Sequence, residues 1–180
     1  MGPTGIGVLY INKRIANLIS PFMRGGHMIK TVSYNSSTWN DIPWRFEAGT
    51  GNIAQAIALS RSIDYLEKIG LKNIKEHTDN LLSYLLSKLK KIDDITIYGH
   101  QSTSGPIVSF NIKDCHPYDI AKLLDKYGIC IRAGHHCGQI LMDSLNINYT
   151  CRVSLYAYNS KDEIDYFIPS LKRSSNSFFT

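Results

Sequence analysis

With 180 residues, 43% of them hydrophobic and 19% charged, the chain has the composition of a globular protein and can hold one full domain, or a domain and part of another. The net charge of +5 is spread over scattered lysines, which is typical of a solvated surface and argues against a nucleic-acid partner, whose binding would call for a gathered basic motif. No signal peptide opens the sequence and no apolar stretch reaches about 20 residues, so we expect neither export nor a membrane partner.

The four cysteines, at positions 115, 130, 137 and 151, include no C-x-x-C pair. A chain of this length rarely depends on disulfides for its fold, so the pattern favours reduced thiols in a reducing compartment. We therefore expect a cytoplasmic or organelle-matrix location.

The first half of the chain predicts a glycine-rich turn over Gly2–Gly7, a short strand over Val8–Ile11, and a long loop or hairpin over Gly25–Trp44. Two helices should follow. The first covers about residues 52–69, with apolar residues at helical spacing and Gly70 as its C-terminal stop. The second covers about residues 73–91, and its leucine stripe is interpreted as core.

The second half of the chain changes to a mixed pattern of short strands and helices. It predicts strands over 95–98 and 107–112 joined by a Gly/Ser-rich turn, a helix over 116–127, and strands over 129–132 and 151–158. Ser160 and Glu163 have the spacing of a capping box for a final helix, which Pro169 should kink or shorten. This order predicts a compact two-layer α/β domain over roughly residues 93–173, whereas the first half is interpreted as the end of a larger domain.

The segment Arg132–Gly138 places a cysteine beside two histidines and an arginine, with a glycine on each side of His135-His136-Cys137. Three interpretations of Cys137 remain open. It is a small buried hydrophobic residue, a metal ligand together with the two histidines, or an exposed nucleophile or sulfur carrier. Nearby cations and a flexible loop favour the third interpretation.

Two further features point to small anionic ligands. Arg132 and Arg152 flank the cysteine loop, and arginine grips a carboxylate through two hydrogen bonds, although surface arginines are common. Gly49-Thr50 precedes a predicted helix, where it could contact a phosphate or serve only as a cap or turn.

Four motifs occur together in the order and spacing of one family: Gly2-Pro3-Thr4-Gly5-Ile6-Gly7, Pro43-Trp44-Arg45-Phe46-Glu47-Ala48-Gly49-Thr50, Arg132-x-Gly-His-His-Cys137 and Cys151-Arg152-Val153-Ser154. From Gly2 to about Arg173 the chain resembles the SufS-type (group II) cysteine desulfurases, which depend on pyridoxal 5′-phosphate (PLP) and have the type I fold of PLP-dependent transferases. The resemblance implies an α/β fold that is the C-terminal portion of such an enzyme.

The resemblance also implies a division of the chain and a set of roles. Residues 1–51 would end the large PLP-binding domain, 52–92 would form connecting helices, 93–173 would form the small domain, and 174–180 would be a tail. Cys137 would accept sulfur from L-cysteine as a persulfide, leaving L-alanine. Arg152 and Arg132 would bind the substrate, Gly49 and Thr50 would contact the cofactor phosphate of the partner in a homodimer, and His135 and His136 would support the loop.

The same resemblance places the lysine that binds PLP three positions before Gly2, outside these residues, so we expect the isolated chain to be inactive. The sulfur would pass to a SufE-like or SufU-like acceptor for iron–sulfur cluster assembly. Alternative hypotheses are a selenocysteine lyase or another class V aminotransferase, a non-enzymatic sulfur-relay or metal-binding module, and a decayed gene fragment. Smaller departures from the family are Gly138, where alanine is usual, and Gln139-Ile140 after it.

Overall fold

The computed structural model describes residues 1–99 and 105–176, with side chains described up to residue 174. These residues form two compact units, Met1–Ile69 and Gly70–Thr180. Within the described part of the chain, no helix combines the length and the apolar character that crossing a membrane requires.

The first unit is built from a hairpin and one long helix. A short helix α1 (Lys13–Ala16) precedes strands β1 (Ile29–Val32) and β2 (Ser37–Trp39), which pair antiparallel, and helix α2 (Ile53–Ile69) ends the unit. The hairpin prediction for residues 25–44 is therefore confirmed, as is the helix that stops before Gly70.

The strand predicted over Val8–Ile11 is wrong, because this segment has no regular secondary structure. Its side chains are open to solvent, with Val8 83% and Tyr10 84% exposed. A strand needs a neighbour to pair its backbone groups, and the described residues provide none for this segment. The apolar residues of α2 also stay outside any core, since Ile53 is 66% and Ile57 62% exposed.

The second unit packs three of its four described helices against a four-stranded antiparallel sheet. Its helices are α3 (Leu71–Leu89), α4 (Pro117–Asp125), α5 (Gln139–Ser144) and α6 (Lys161–Asn176). Its strands are β3 (Ile95–Tyr98), β4 (Ile107–Ile112), β5 (Arg132–Gly134) and β6 (Thr150–Ser154), in the spatial order β3-β4-β6-β5. The predicted two-layer α/β arrangement is confirmed.

The core of this unit lies between the sheet and helices α3, α4 and α6. The leucine stripe of α3 is buried there, and the sheet contributes its alternating inward residues. The fully buried members are Leu85, Leu89, Val108, Phe110, Ile120, Leu124, Cys151 and Leu171. The core interpretation of the leucine stripe is thus confirmed.

Several boundaries differ from the sequence predictions. Strand β5 occupies residues 132–134 rather than 129–132, because its register is set by pairing with β6 and not by its own apolar residues. The last strand ends at Ser154 instead of position 158, and α5 was not predicted. The Gly/Ser-rich turn falls largely on residues 100–104, outside the described part.

The final helix begins at the predicted capping box. The Ser160 backbone N–H donates to Glu163 Oε2 at 2.7 Å, and the Glu163 N–H donates to Ser160 Oγ at 3.3 Å. Helix α6 then continues through Pro169 to Asn176, so the predicted shortening is wrong. Burial of Phe167 and Leu171 on either side of the proline holds the helix together, although an interior proline costs about 3 kcal/mol.

Candidate active site

An open cleft of about 420 Å³ lies at the end of β5 and in the turn that follows it. It contains most of the residues that the sequence marked as functional. The cleft is lined by Tyr118, Arg132, Ala133, Gly134, His135, His136, Cys137 and Gln139.

The two arginines are brought together by the sheet. Arg132 of β5 is the cross-strand partner of Arg152 of β6, so both side chains leave the same face of the sheet. The residue before Arg152, Cys151, points to the opposite face and is fully buried in the core. Arg152 is half-buried, and its Nε is buried without a hydrogen-bond partner among the described residues. Two adjacent cations with an open donor suit a bidentate anion such as a carboxylate.

Cys137 sits at the tip of a tight turn. The Gly138 N–H donates to the His135 carbonyl oxygen at 2.9 Å, and the two residues between them, His136 and Cys137, have φ angles of 54° and 61°. Glycine, asparagine and aspartate normally occupy such positions, so this conformation is strained for both residues. The turn leaves Cys137 exposed, with its Sγ 3.8 Å from Arg132 Nη2.

His136 turns back towards the sheet. Its Nε2 lies 3.0 Å from the Thr150 carbonyl oxygen and 2.9 Å from Thr150 Oγ1. Burial lowers the pKa of His136, the bond to the Thr150 carbonyl opposes that shift, and the positive charges of Arg152, Arg132 and His135 lower the pKa further. The ring is therefore neutral at physiological pH.

His135 points elsewhere and contacts an aromatic group. Its ring lies 4.7 Å from the ring of Tyr149, which also contacts His116 and Tyr118. His135, His136 and Cys137 therefore do not converge on a common point. Over the described residues, no group of three or more His, Cys, Asp or Glu side chains is placed to hold a metal ion.

The other cysteines differ from Cys137 in their surroundings. Burial raises the pKa of Cys151 to about 12, and burial followed by the nearby Asp114 charge raises the pKa of Cys115. Cys130 is exposed but lines a separate, largely apolar cavity of about 500 Å³. Within the described part of the chain, Cys137 is thus the cysteine that combines exposure with a contacting arginine.

Gly49 and Thr50 belong to the first unit and are considered on their own. Both are exposed in a turn just ahead of α2, and the Gly49 N–H donates to the Gly26 carbonyl oxygen at 2.9 Å. The first backbone N–H groups of a helix lack partners within the helix, and together with a threonine hydroxyl they fit a phosphate group. These residues therefore fit one phosphate contact of a cofactor.

Sequence reasoning missed two residues of the site. Tyr118 lines the cleft from the start of α4, and Thr150 of β6 anchors the turn through its contacts with His136. Thr150 directly precedes the Cys151-Arg152 motif, but nothing in a linear sequence indicates that its oxygen atoms meet a histidine 14 residues earlier.

Known proteins match nearly the whole chain. A probable cysteine desulfurase of Halalkalibacterium halodurans is 46% identical over 177 residues, and a cysteine desulfurase of Wigglesworthia glossinidia brevipalpis is 46% identical over 171 residues. The matches cover 98% and 94% of this chain but only 43% and 42% of those proteins. The chain therefore spans less than half the length of these relatives, which fits the expectation of a C-terminal portion.

Solved structures agree with the model. The apo cysteine desulfurase of Thermococcus onnurineus NA1 superposes with a TM-score of 0.90 at 38% identity, covering 96% of this chain and 43% of that one. The cysteine desulfurase CsdA of Escherichia coli, in an S-sulfonic acid form, gives 0.91 at 32% identity, covering 97% and 43%. The expected fold, an α/β portion of a PLP-dependent transferase, is thereby confirmed. A model of the family described as aminotransferase class-V matches residues 1–167, and the chain belongs to that family.

Proposed function

We propose that this chain is the C-terminal portion of a SufS-type cysteine desulfurase, in which Cys137 carries sulfur as a persulfide. The observation that supports this most directly is the exposed Cys137 thiol on a strained turn, 3.8 Å from the Arg132 guanidinium. Exposure together with an adjacent cation is the environment of reactive cysteines, and it distinguishes Cys137 from the buried thiols.

The sulfur transfer follows from the residues in the cleft. Arg152, with Arg132 beside it, would hold the carboxylate of L-cysteine through its guanidinium N–H groups. The Cys137 thiolate attacks the substrate sulfur, so that an S–S bond forms while the substrate Cβ–S bond breaks. The electron pair stays with the substrate carbon, which takes a proton and leaves as L-alanine, and the sulfur remains on Cys137. Arg132 Nη2 lies 3.8 Å from the Cys137 sulfur and donates a hydrogen bond to it.

The cofactor would be bound mainly by residues outside this chain. PLP, when bound, would supply the electron sink for the carbon from which sulfur departs. Of the residues present, Gly49 and Thr50 would contact a phosphate group, in a homodimer the one bound by the partner subunit. Transfer of the persulfide to a SufE-like or SufU-like acceptor for iron–sulfur cluster assembly completes the proposal.

The test uses the full-length protein that contains these residues, supplied with PLP and L-cysteine. We expect Cys137→Ser to lower alanine release at least 100-fold and to remove the mass gain of one sulfur atom on the Cys137 peptide. Cys130→Ser is the matched control, because Cys130 is also exposed but has no hydrogen bond from an arginine among the described residues; it should keep activity within about two-fold. Equal loss in both variants, or none in Cys137→Ser, would overturn the proposal.

A second experiment uses the 180 residues alone. Because the resemblance to cysteine desulfurases implies a PLP-binding lysine outside them, we expect no catalytic alanine release when they are mixed with PLP and L-cysteine. Repeated turnover by this chain would show that a residue within it supplies the missing function.

A further inference from the structure

The turn that carries Cys137 is strained, although sulfur transfer requires the thiol to stay in a fixed position. Both His136 and Cys137 have positive φ, and each non-glycine residue in such a conformation costs on the order of 1–3 kcal/mol unless its surroundings hold it. The Gly138 N–H bond to His135 closes the turn but ties it only to itself. Some further contact has to fix the turn relative to the arginines on the sheet.

His136 makes that contact. Its Nε2 reaches two oxygen atoms of Thr150, a residue with 0% exposure in the middle of the unit. Thr150 lies two positions before Arg152 on β6, so both side chains leave the same face of the sheet. The bond therefore joins the Cys137 turn to the strand that carries Arg152.

The hydrogen-bond roles follow from the acceptor. A carbonyl oxygen only accepts, so the contact with the Thr150 carbonyl requires a proton on Nε2. In the neutral ring, Nδ1 then carries a lone pair, and this atom is buried with no partner among the residues that the structure describes. The unsatisfied Nδ1 costs free energy, so the contribution of His136 has to come from its Nε2 atom, which reaches Thr150 and donates to it.

We propose that His136 is a positioning residue for sulfur transfer: by donating from Nε2 to Thr150, it holds the Cys137 turn so that the thiol stays beside Arg132. His135 has no such role, because its ring packs against Tyr149 and makes no bond to the sheet within the described residues. The inference rests on the proposed role of Cys137. The test of this inference needs no desulfurase activity, so the positioning role of His136 and the proposed desulfurase function can fail separately.

The test compares how fast Cys137 reacts with a negatively charged reagent, iodoacetate, and with a neutral one, iodoacetamide. The full-length protein that contains these residues is used in a Cys130→Ser background at low salt, and the Cys137 peptide is followed by mass spectrometry. An arginine held near the sulfur attracts the anion, so the ratio of the two rates reports the Arg132 position. A change in the exposure or general reactivity of the thiol that leaves Arg132 beside it alters both rates alike and leaves the ratio unchanged.

Two substitutions of His136 form a matched pair. Asparagine tolerates positive φ but is too short to reach Thr150, whereas the amide nitrogen of glutamine can replace Nε2. We expect His136→Asn to lower the iodoacetate-to-iodoacetamide ratio about five-fold, the order of factor that one exposed charge at 3.8 Å provides in water. His136→Gln should stay within about two-fold of the parent.

Thr150→Val supplies a second, independent variant, because it removes the hydroxyl acceptor and keeps the carbonyl. Its ratio should lie between those of the parent and His136→Asn, and it decides the question if His136→Asn fails to fold in circular dichroism. An unchanged ratio in a folded His136→Asn chain, or equal losses in the asparagine and glutamine variants, would overturn the proposal.

Discussion

Replacement of Gly134 by alanine tests how tightly the backbone of the cleft is constrained. Gly134 ends β5 with φ of 132°, in a region that residues with a side chain rarely adopt. An alanine Cβ placed there would also lie 3.0 Å from the Tyr118 hydroxyl oxygen. The substitution therefore combines backbone strain with a close contact, and the two have different consequences.

The backbone term should dominate. Tyr118 is 51% exposed and its hydroxyl is the far end of a flexible side chain, so it can move aside at little cost. The strained φ angle cannot relax in the same way, because pairing with β6 fixes the backbone of β5. Such strain costs on the order of 1–3 kcal/mol. We expect Gly134→Ala to lower the free energy of unfolding of this unit by about 2 kcal/mol. Adding Tyr118→Phe should restore only a few tenths of that loss.

The assay follows the second unit specifically. Cys151 is fully buried there, so pulse labelling of its thiol across a urea gradient reports unfolding of this unit. Gly138→Ala is the matched control in the same loop, because its φ is −128° and its Cβ would meet only ordinary contacts of 3.5 Å or more. It should change stability by less than about 0.5 kcal/mol. Equal midpoints for the two alanine variants, or full recovery with Tyr118→Phe, would refute the reasoning.

Three further predictions concern the same unit. Ser160→Ala removes the hydroxyl that accepts the Glu163 N–H and should lower the free energy of unfolding in urea by about 1 kcal/mol. No change would mean that the capping box does not stabilise the helix. Burial lowers the pKa of His136 below its unfolded value of about 6.5, so the free energy of unfolding should be unaffected by this group above pH 6.5 and should fall as the pH drops from 6.5 to the folded pKa. His136→Gln should flatten this fall, and an unchanged slope would show that His136 does not cause it. Cys115 and Cys151, whose pKa values are raised by burial, should resist alkylation in the native chain and react only in denaturant, so native labelling of either would contradict the packing.

Local periodicity and capping chemistry were sufficient to predict much of the second unit. The helical spacing of Leu81, Leu85 and Leu89 predicts one buried face, and the structure buries it. The capping box at Ser160 predicts where α6 begins, because its two hydrogen bonds involve residues only three apart. Both features depend on residues a few positions apart, so they can be predicted from the sequence alone.

The features that depend on distant partners could not be predicted in the same way. The position of β5 is fixed by Arg132 lying opposite Arg152, 20 residues later, and the apolar residues before it wrongly suggested an earlier strand. The strand predicted at Val8–Ile11 failed for the same reason, since an apolar run predicts a strand only when another strand is available to pair with it. The motif around Cys137 indicated reactivity, but not the Thr150 anchor that gives the motif its geometry.

Several unfavourable features of the second unit lie around Cys137. Like charges on Arg132 and Arg152 face each other across two strands, which costs about 0.2–1 kcal/mol, while His136 and Cys137 adopt a strained turn. Arg152 Nε and His136 Nδ1 are buried without partners among the described residues. The core of the same unit, by contrast, is apolar and closely packed. An anion lying between Arg132 and Arg152 would offset their repulsion and offer an acceptor to Arg152 Nε, so two of these costs are those of an anion-binding site that holds no anion.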